Sequence, residues 1–187
     1  GRHEALWKHL DGNYFQRFEA AEIGWHTRVL WAKSTPDKPI VRARLSPVGE
    51  GLQVLVYAPD EPGLFARITS FFERLQFDVV AAKIYTTEHG FALDNFQVLP
   101  KSRGGEHYRE INQKVEAKLA ERIATRGPID PPPSGRISRW VKHFPIEPKV
   151  TIVPDRRPGR WLITVSCADR PSLLSSLARV LYGHGLN

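Results

Sequence analysis

The stretch Leu52-Gln53-Val54-Leu55-Val56-Tyr57-Ala58-Pro59-Asp60-Glu61-Pro62-Gly63-Leu64 decides how this chain is read. Leu52 to Ala58 is rich in β-branched and aromatic residues and apolar enough for a central strand. Pro59 to Gly63 breaks that strand, and a helix follows. Leu64, Ile68, Phe71, Phe72 and Leu75 recur at i, i+4, i+7, i+8 and i+11, one apolar stripe along it. Further on, Val79 to Thr87 and Phe91 to Leu99 read as two strands joined by Glu88-His89-Gly90, with Gly90 available for positive φ. Tyr108, Ile111, Val115, Leu119 and Ile123 mark a second long helix that stops before Gly127-Pro128. A last strand is expected at Lys149 to Val153. The order strand, helix, strand, strand, helix, strand is the ferredoxin-like βαββαβ unit of the α+β class. Two helices cover one face of a four-stranded antiparallel sheet, and the other face needs a partner.

Upstream, Val41, Ala43 and Leu45 alternate with Arg42 and Arg44, the pattern of a half-buried edge strand. Residues 3 to 33 read as helical. His3 to Leu10 is expected to end at Asp11-Gly12, and a second helix to run from Ala20 to Ala32 with Ile23, Thr27, Leu30 and Trp31 on one face. Trp7, Tyr14, Phe15, Phe18, Trp25 and Trp31 make this segment unusually aromatic. So short a piece cannot bury that surface alone. It must pack on the domain that follows or on one upstream. Ser34 to Pro39 is a connector. The expected division is a helical segment at 1–38, a first folded domain at 39–154 and the start of a second at 155–187.

That second domain is an internal repeat. At an offset of 109, Asp60 matches Asp169, Pro62 matches Pro171 and Leu64 matches Leu173. Val54 pairs with Ile163, Val56 with Val165, Ile68 with Leu177, Phe71 with Val180 and Phe72 with Leu181. Strand, Asp-x-Pro turn and amphipathic helix recur in order. The second copy stops at Asn187, short of its remaining strands, and the chain contains no methionine even at position 1. Both features read as a piece of a longer protein. The apolar strand Trp161 to Cys167 and the helix face of Leu173, Leu174, Leu177, Val180 and Leu181 should be covered, by the first sheet or by a second chain in a two-fold homodimer.

With 187 residues, 41% hydrophobic and 25% charged, the composition is that of a globular protein. No run approaches the ~18 apolar residues of a membrane helix, and a secretory leader is not expected from the first thirty residues. A single cysteine, Cys167, leaves no disulfide framework and suits a cytoplasmic setting. The net charge is +7, from 27 basic and 20 acidic residues. Residues 134–160 hold seven basic residues against two acidic ones, a net +5. That stretch is rich in proline and reads as strands and turns, so no nucleic-acid recognition helix is expected.

Asp60-Glu61-Pro62-Gly63-Leu64-Phe65 and Asp169-Arg170-Pro171-Ser172-Leu173-Leu174 resemble the opening of ACT domains, small ligand-binding regulatory modules. The tandem copy, Gly90-Phe91-Ala92-Leu93-Asp94-Asn95-Phe96 and the upstream Tyr14-Phe15 and Ile23-Gly24-Trp25-His26-Thr27 narrow the resemblance. Together they are similar to the C-terminal part of the bacterial bifunctional uridylyltransferase/uridylyl-removing enzymes that act on the PII nitrogen-signalling protein. The resemblance implies a glutamine-sensing region attached to a nucleotidyltransferase domain, which would use Mg²⁺, and an HD-type hydrolase domain. Neither chemistry is expected within this chain. No two aspartates stand in Asp-x-Asp spacing for a metal–triphosphate site, and no adjacent His-Asp pair occurs.

The resemblance implies a ligand site at Asp60, Glu61, Pro62, Gly63 and Leu64, and a second at Asp169, Arg170, Ser172 and Leu173. There a helix N-terminus offers amides to a ligand carboxylate and an aspartate meets its ammonium. Asp60 and Asp169 could equally be helix N-caps. Ser172 replaces the usual glycine and alters the second pocket. Asp94, in an apolar strand, calls for a partner. Lys83 and Thr86 read as core or edge solvation rather than contacts to an ACT partner, Cys167 as inert core, and Ser102 to Gly105 as a loop rather than an anion site. The seven histidines show no metal-ligand spacing. Two other functions stay open: an ACT region from another host, such as a guanosine-tetraphosphate synthetase/hydrolase or an amino-acid biosynthetic enzyme, and a ligand-free interaction module using the open sheet face.

Overall fold

A computed structural model describes residues 4–33, 35–101, 108–131, 147–155, 161–170 and 172–186. The expected loop at Ser102 to Gly105 lies outside them. The chain divides into a larger unit, residues 1–132 with 174–187, and a smaller one, residues 133–173.

In the larger unit, strands β1 (Ile40–Leu45), β2 (Leu52–Pro59), β3 (Phe77–Lys83) and β4 (Phe91–Pro100) form one antiparallel sheet in the order β1-β2-β4-β3. Helix α4 (Leu64–Arg74) joins β2 to β3, and α5 (Tyr108–Ala124) follows β4. Three short helices precede the sheet: α1 (Glu4–Trp7), α2 (Gly12–Arg17) and α3 (Ala20–Leu30). The α+β, ferredoxin-like arrangement stands, with one strand reassigned. The edge next to β2 is occupied by β1, which comes before it, and not by Lys149–Val153. Hydrophobic alternation marks an edge strand without naming its neighbour. A hairpin closed by residues 46–51 costs less loop entropy than a return from beyond α5.

The strand expected to close that sheet is β5 (Lys149–Pro154) of the smaller unit, where it pairs antiparallel with β6 (Trp161–Ser166). Its register repeats the first hairpin. Ile40 faces Tyr57 and Leu45 faces Leu52; at the offset of 109, Lys149 faces Ser166 and Pro154 faces Trp161. The helix recurs as well, since α6 (Leu173–Gly183) spans the residues that correspond to α4. The repeat therefore begins a full strand earlier than its sequence motif. Within the smaller unit Trp161 is 65% exposed, and Val150, Ile152 and Leu162 are also exposed.

Each face of the four-stranded sheet has its own core. Val54, Val56, Ala58, Phe96 and Val98 meet Leu64, Ile68, Phe72, Val115 and Leu119 of the two helices. The opposite face, with Leu55, Tyr57 and Leu93, packs against Leu6, Leu10, Tyr14, Phe18, Trp25 and Leu30. The aromatic segment thus packs on the domain that follows it, and the face expected to seek another ACT unit is filled by the chain itself. The Arg44 guanidinium lies 4.0 Å from the centre of the Trp25 ring. The first helix ends at Trp7, short of Leu10, and Asp11-Gly12 starts a helix instead of ending one. The Asp11 carboxylate accepts from the amides of Asn13 and Tyr14 and caps α2. Trp31, expected on the buried face of α3, lies just beyond that helix and is exposed. β3 stops at Lys83, short of Thr87. Residues 84–90 loop back with one further bridge between Thr86 and Ala92 and a positive φ at Gly90.

Candidate functional site

The β2–α4 turn is built by its glycine. Gly63 has φ +81°, is buried, and is the N-cap of α4 without any side-chain cap. Leu64 Cβ-side packing then points into the core, while its amide bonds the Glu61 carbonyl at 3.1 Å. Asp60 does not cap the helix. Its Oδ2 accepts from the Thr86 hydroxyl at 2.8 Å, and its amide donates to the Gly90 carbonyl at 2.9 Å, so the carboxylate stands exposed at the sheet edge beside the 84–90 loop. Pro62 is exposed. Glu61 is drawn the other way, with Oε1 3.3 Å from Arg67 and Oε2 2.9 Å from Arg126. The buried Arg67 also donates through Nε to the Gly127 carbonyl at 2.8 Å. The turn is thereby tied to the chain leaving α5. Of the five residues expected here, Asp60 and Pro62 are exposed, Glu61 is held by two arginines, Gly63 is buried at the helix start and Leu64 is core.

Asp94 lies behind this turn on the helix-facing side of β4, opposite Val56. It is 1% exposed, and the Tyr85 amide donates to its Oδ1 at 3.4 Å. Burial pushes its carboxyl up to about 8, and the negative charge of Asp60 adds to the rise. The expected partner is a backbone amide, and the acid is largely neutral at pH 7. Lys83 is not an edge residue in contact with water alone; its ammonium lies 2.6 Å from Glu22 Oε2.

Glu22 is the residue that the sequence did not single out. Oε1 accepts from Gln53 Nε2 at 3.1 Å and Asn95 Nδ2 at 3.0 Å; Oε2 accepts from the Glu19 amide at 2.8 Å and from Lys83. One carboxylate of α3 thus joins β2, β3 and β4. One turn on, His26 is fully buried, its Nδ1 2.8 Å from the Tyr14 hydroxyl, and burial holds its ring far down, to about 3. The usable signal was the pair Glu22 and His26 at i and i+4 on the side of α3 that carries Trp25 and Leu30.

In the smaller unit the second turn repeats the first in backbone terms. Ser172 has φ +63°, the left-handed conformation of Gly63, and is buried. The Leu173 amide meets the Arg170 carbonyl at 3.3 Å. A serine therefore holds a conformation that glycine takes with less strain. Asp169 and Arg170 are exposed. Cys167 lies one residue past β6 and is half-buried, not central core.

A four-stranded antiparallel sheet backed by two helices, with an aspartate–proline–glycine turn between central strand and helix, is the ferredoxin-like arrangement of the ACT fold. The ACT domain family model matches residues 52–120, and the uridylyltransferase GlnD fifth domain model matches residues 1–29. The chain carries an ACT domain. Over nearly all of its length it also matches curated bifunctional uridylyltransferase/uridylyl-removing enzymes. That of Chromobacterium violaceum is 49% identical across 97% of this chain and 21% of its own length. That of Ralstonia nicotianae is 50% identical across 97% and 22%, and that of Thiobacillus denitrificans 44% across 98% and 22%. The chain thus spans about a fifth of these relatives. No solved structure matches it. Among the described residues no helix is long and apolar enough to cross a membrane.

Proposed function

We propose that this chain is the amino-acid-sensing regulatory region of a bifunctional enzyme that uridylylates and deuridylylates PII, and that glutamine is its effector. The observation that carries the reading is the β2–α4 turn. A buried glycine with positive φ begins an 11-residue helix, with an exposed carboxylate anchored nearby. An amino acid offers the matching pair of charges. Its carboxylate suits the positive end of the helix that starts at Gly63, and its ammonium suits Asp60. The names carried by the relatives support the host enzyme, as does the joining of the fifth-domain segment to the ACT sheet. That segment occupies the face which a ligand-free scaffold would have left open. The uridylyl chemistry, with its Mg²⁺, belongs to the parts of the relatives that this chain does not span. Serine at position 172 makes the second turn the weaker site. The setting is cytoplasmic.

Titration calorimetry with glutamine, and with other amino acids as controls, tests the assignment. Glutamine should bind, and Asp60→Ala should weaken it at least tenfold, about 1.4 kcal/mol. If Asp60→Ala binds as tightly as the parent, Asp60 is no ligand contact. If glutamine gives no heat while another amino acid does, the effector is wrong.

A further inference from the structure

The absence of a side chain at Gly63 leaves no empty space. A methyl group built on its α-carbon would lie 2.8 Å from Cε2 and 3.0 Å from Cζ of Tyr182, and 3.2 Å from Cδ1 of Ile129. Those distances are shorter than ordinary van der Waals contact, which begins near 3.4 Å. The ring of Tyr182, from the helix of the second repeat, therefore lies on the turn where the first repeat's helix begins. No ligand atom fits against that side of Gly63 while the ring is there.

Tyr182 is held there by the way its helix lies. The stripe of α6 that repeats the core stripe of α4 is Leu173, Leu177, Val180 and Leu181, of which Val180 and Leu181 are exposed. The residues of α6 that are buried are Ser175 and Ala178. With Tyr182 they fall at i, i+3 and i+7 and share one face. The small residues let the helix lie close, and the tyrosine at the end of that face reaches the turn. Tyr182 is the penultimate residue of α6, so a displacement of the helix end carries the ring with it.

We infer that Tyr182 gates the β2–α4 turn: a small amino acid reaches the Gly63 backbone only when the Tyr182 ring, and with it the end of the second repeat's helix, is displaced. This rests on the turn being the amino-acid site. It adds how the site is regulated and how occupancy leaves it. A ligand that binds only the displaced form has an apparent affinity lowered by the fraction of molecules in that form. By reciprocity it drives the helix off the turn by the same factor. The first repeat's site would in this way report to the second.

The test uses the parent, Tyr182→Ala and the ring-conserving Tyr182→Phe, read by amide hydrogen exchange without ligand and by calorimetry with glutamine. The expected results are four. In Tyr182→Ala the amides of residues 64–67 exchange about tenfold faster, while those of β2 and β4 keep their protection and show that the fold is intact. Glutamine binds Tyr182→Ala about tenfold more tightly than the parent, for an open fraction near one in ten. Glutamine added to the parent speeds exchange across residues 174–183. Tyr182→Phe behaves as the parent. Unchanged exchange at residues 64–67 in Tyr182→Ala would overturn the gate. So would glutamine binding that is equal in parent and Tyr182→Ala, or weaker in the variant, and in that case the amino-acid site itself stands. If no amino acid binds either protein although exchange at the turn responds, the amino-acid reading fails and the gate fails with it.

Discussion

Removing the Glu22 carboxylate should detach the helical segment from the ACT sheet. Glu22→Ala takes four hydrogen bonds away from three strands and a helix end. The Gln53 and Asn95 side chains are buried and lose their acceptor, and an unsatisfied buried donor costs about 1–3 kcal/mol. The Lys83 side chain is about a third exposed and can turn to water, so its share is discounted to ~1 kcal/mol. The expected loss is about 4 kcal/mol, a large part of the 5–15 kcal/mol that holds an ordinary domain together. Glu22→Gln keeps the shape and one acceptor, and presents an amide to Lys83 and the Glu19 amide, so about 2 kcal/mol is expected. Urea unfolding followed by tryptophan fluorescence and circular dichroism measures both. Trp25 packs in the affected layer, so its signal should change at lower urea than the sheet signal in Glu22→Ala, while the two coincide in the parent. A loss below 1 kcal/mol in Glu22→Ala with coincident transitions would refute the reasoning, and the apolar contacts of Leu6, Tyr14 and Leu30 would then hold the segment unaided.

Two further outcomes follow from the turn and the strand behind it. Gly63→Ala should cost about 1–2 kcal/mol for a side chain in the left-handed region, plus the contact with Tyr182; thermal unfolding of Gly63→Ala and of the double variant with Tyr182→Ala separates the two, since the second change relieves only the contact, and an unchanged melting temperature in Gly63→Ala counts against the geometry. Asp94 holds a proton in the folded state up to about pH 8 and loses it on unfolding above its ordinary value of 3.8. Unfolding therefore releases a proton between those limits, and stability falls as pH rises through them, by at most ~1.4 kcal/mol per pH unit. Asp94→Asn should remove that contribution, so denaturant midpoints of parent and variant diverge from pH 5 to pH 8 in the variant's favour; parallel curves would mean that Asp94 is ionised throughout.

Local pattern alone determined the central strand, the stripe of α4, the long helix α5, the repeat and the Asp-Glu-Pro-Gly turn. Each of these is written in neighbouring residues: the period of an apolar stripe, a proline that breaks a strand, a glycine where φ is positive. The resemblance carried by Asp60 to Phe65 and Asp169 to Leu174 reached the family for the same reason. What tertiary structure decided was which surfaces meet. Val41, Ala43 and Leu45 read as an edge, but only pairing shows that β1 takes the place next to β2 and that Lys149–Pro154 pairs with Trp161–Ser166. The aromatic segment announced buried surface without an address, and the address is the sheet face of Leu55, Tyr57 and Leu93. Arg67 and Tyr182 gave no signal, because a charged or aromatic side chain on a helix looks the same in sequence whether it faces water, an arginine-bridged turn or a glycine brought near by folding. Periodicity fixes which side of an element is apolar; the partner of that side is chosen by contacts between residues far apart in the chain, and those exist only once the chain has closed on itself.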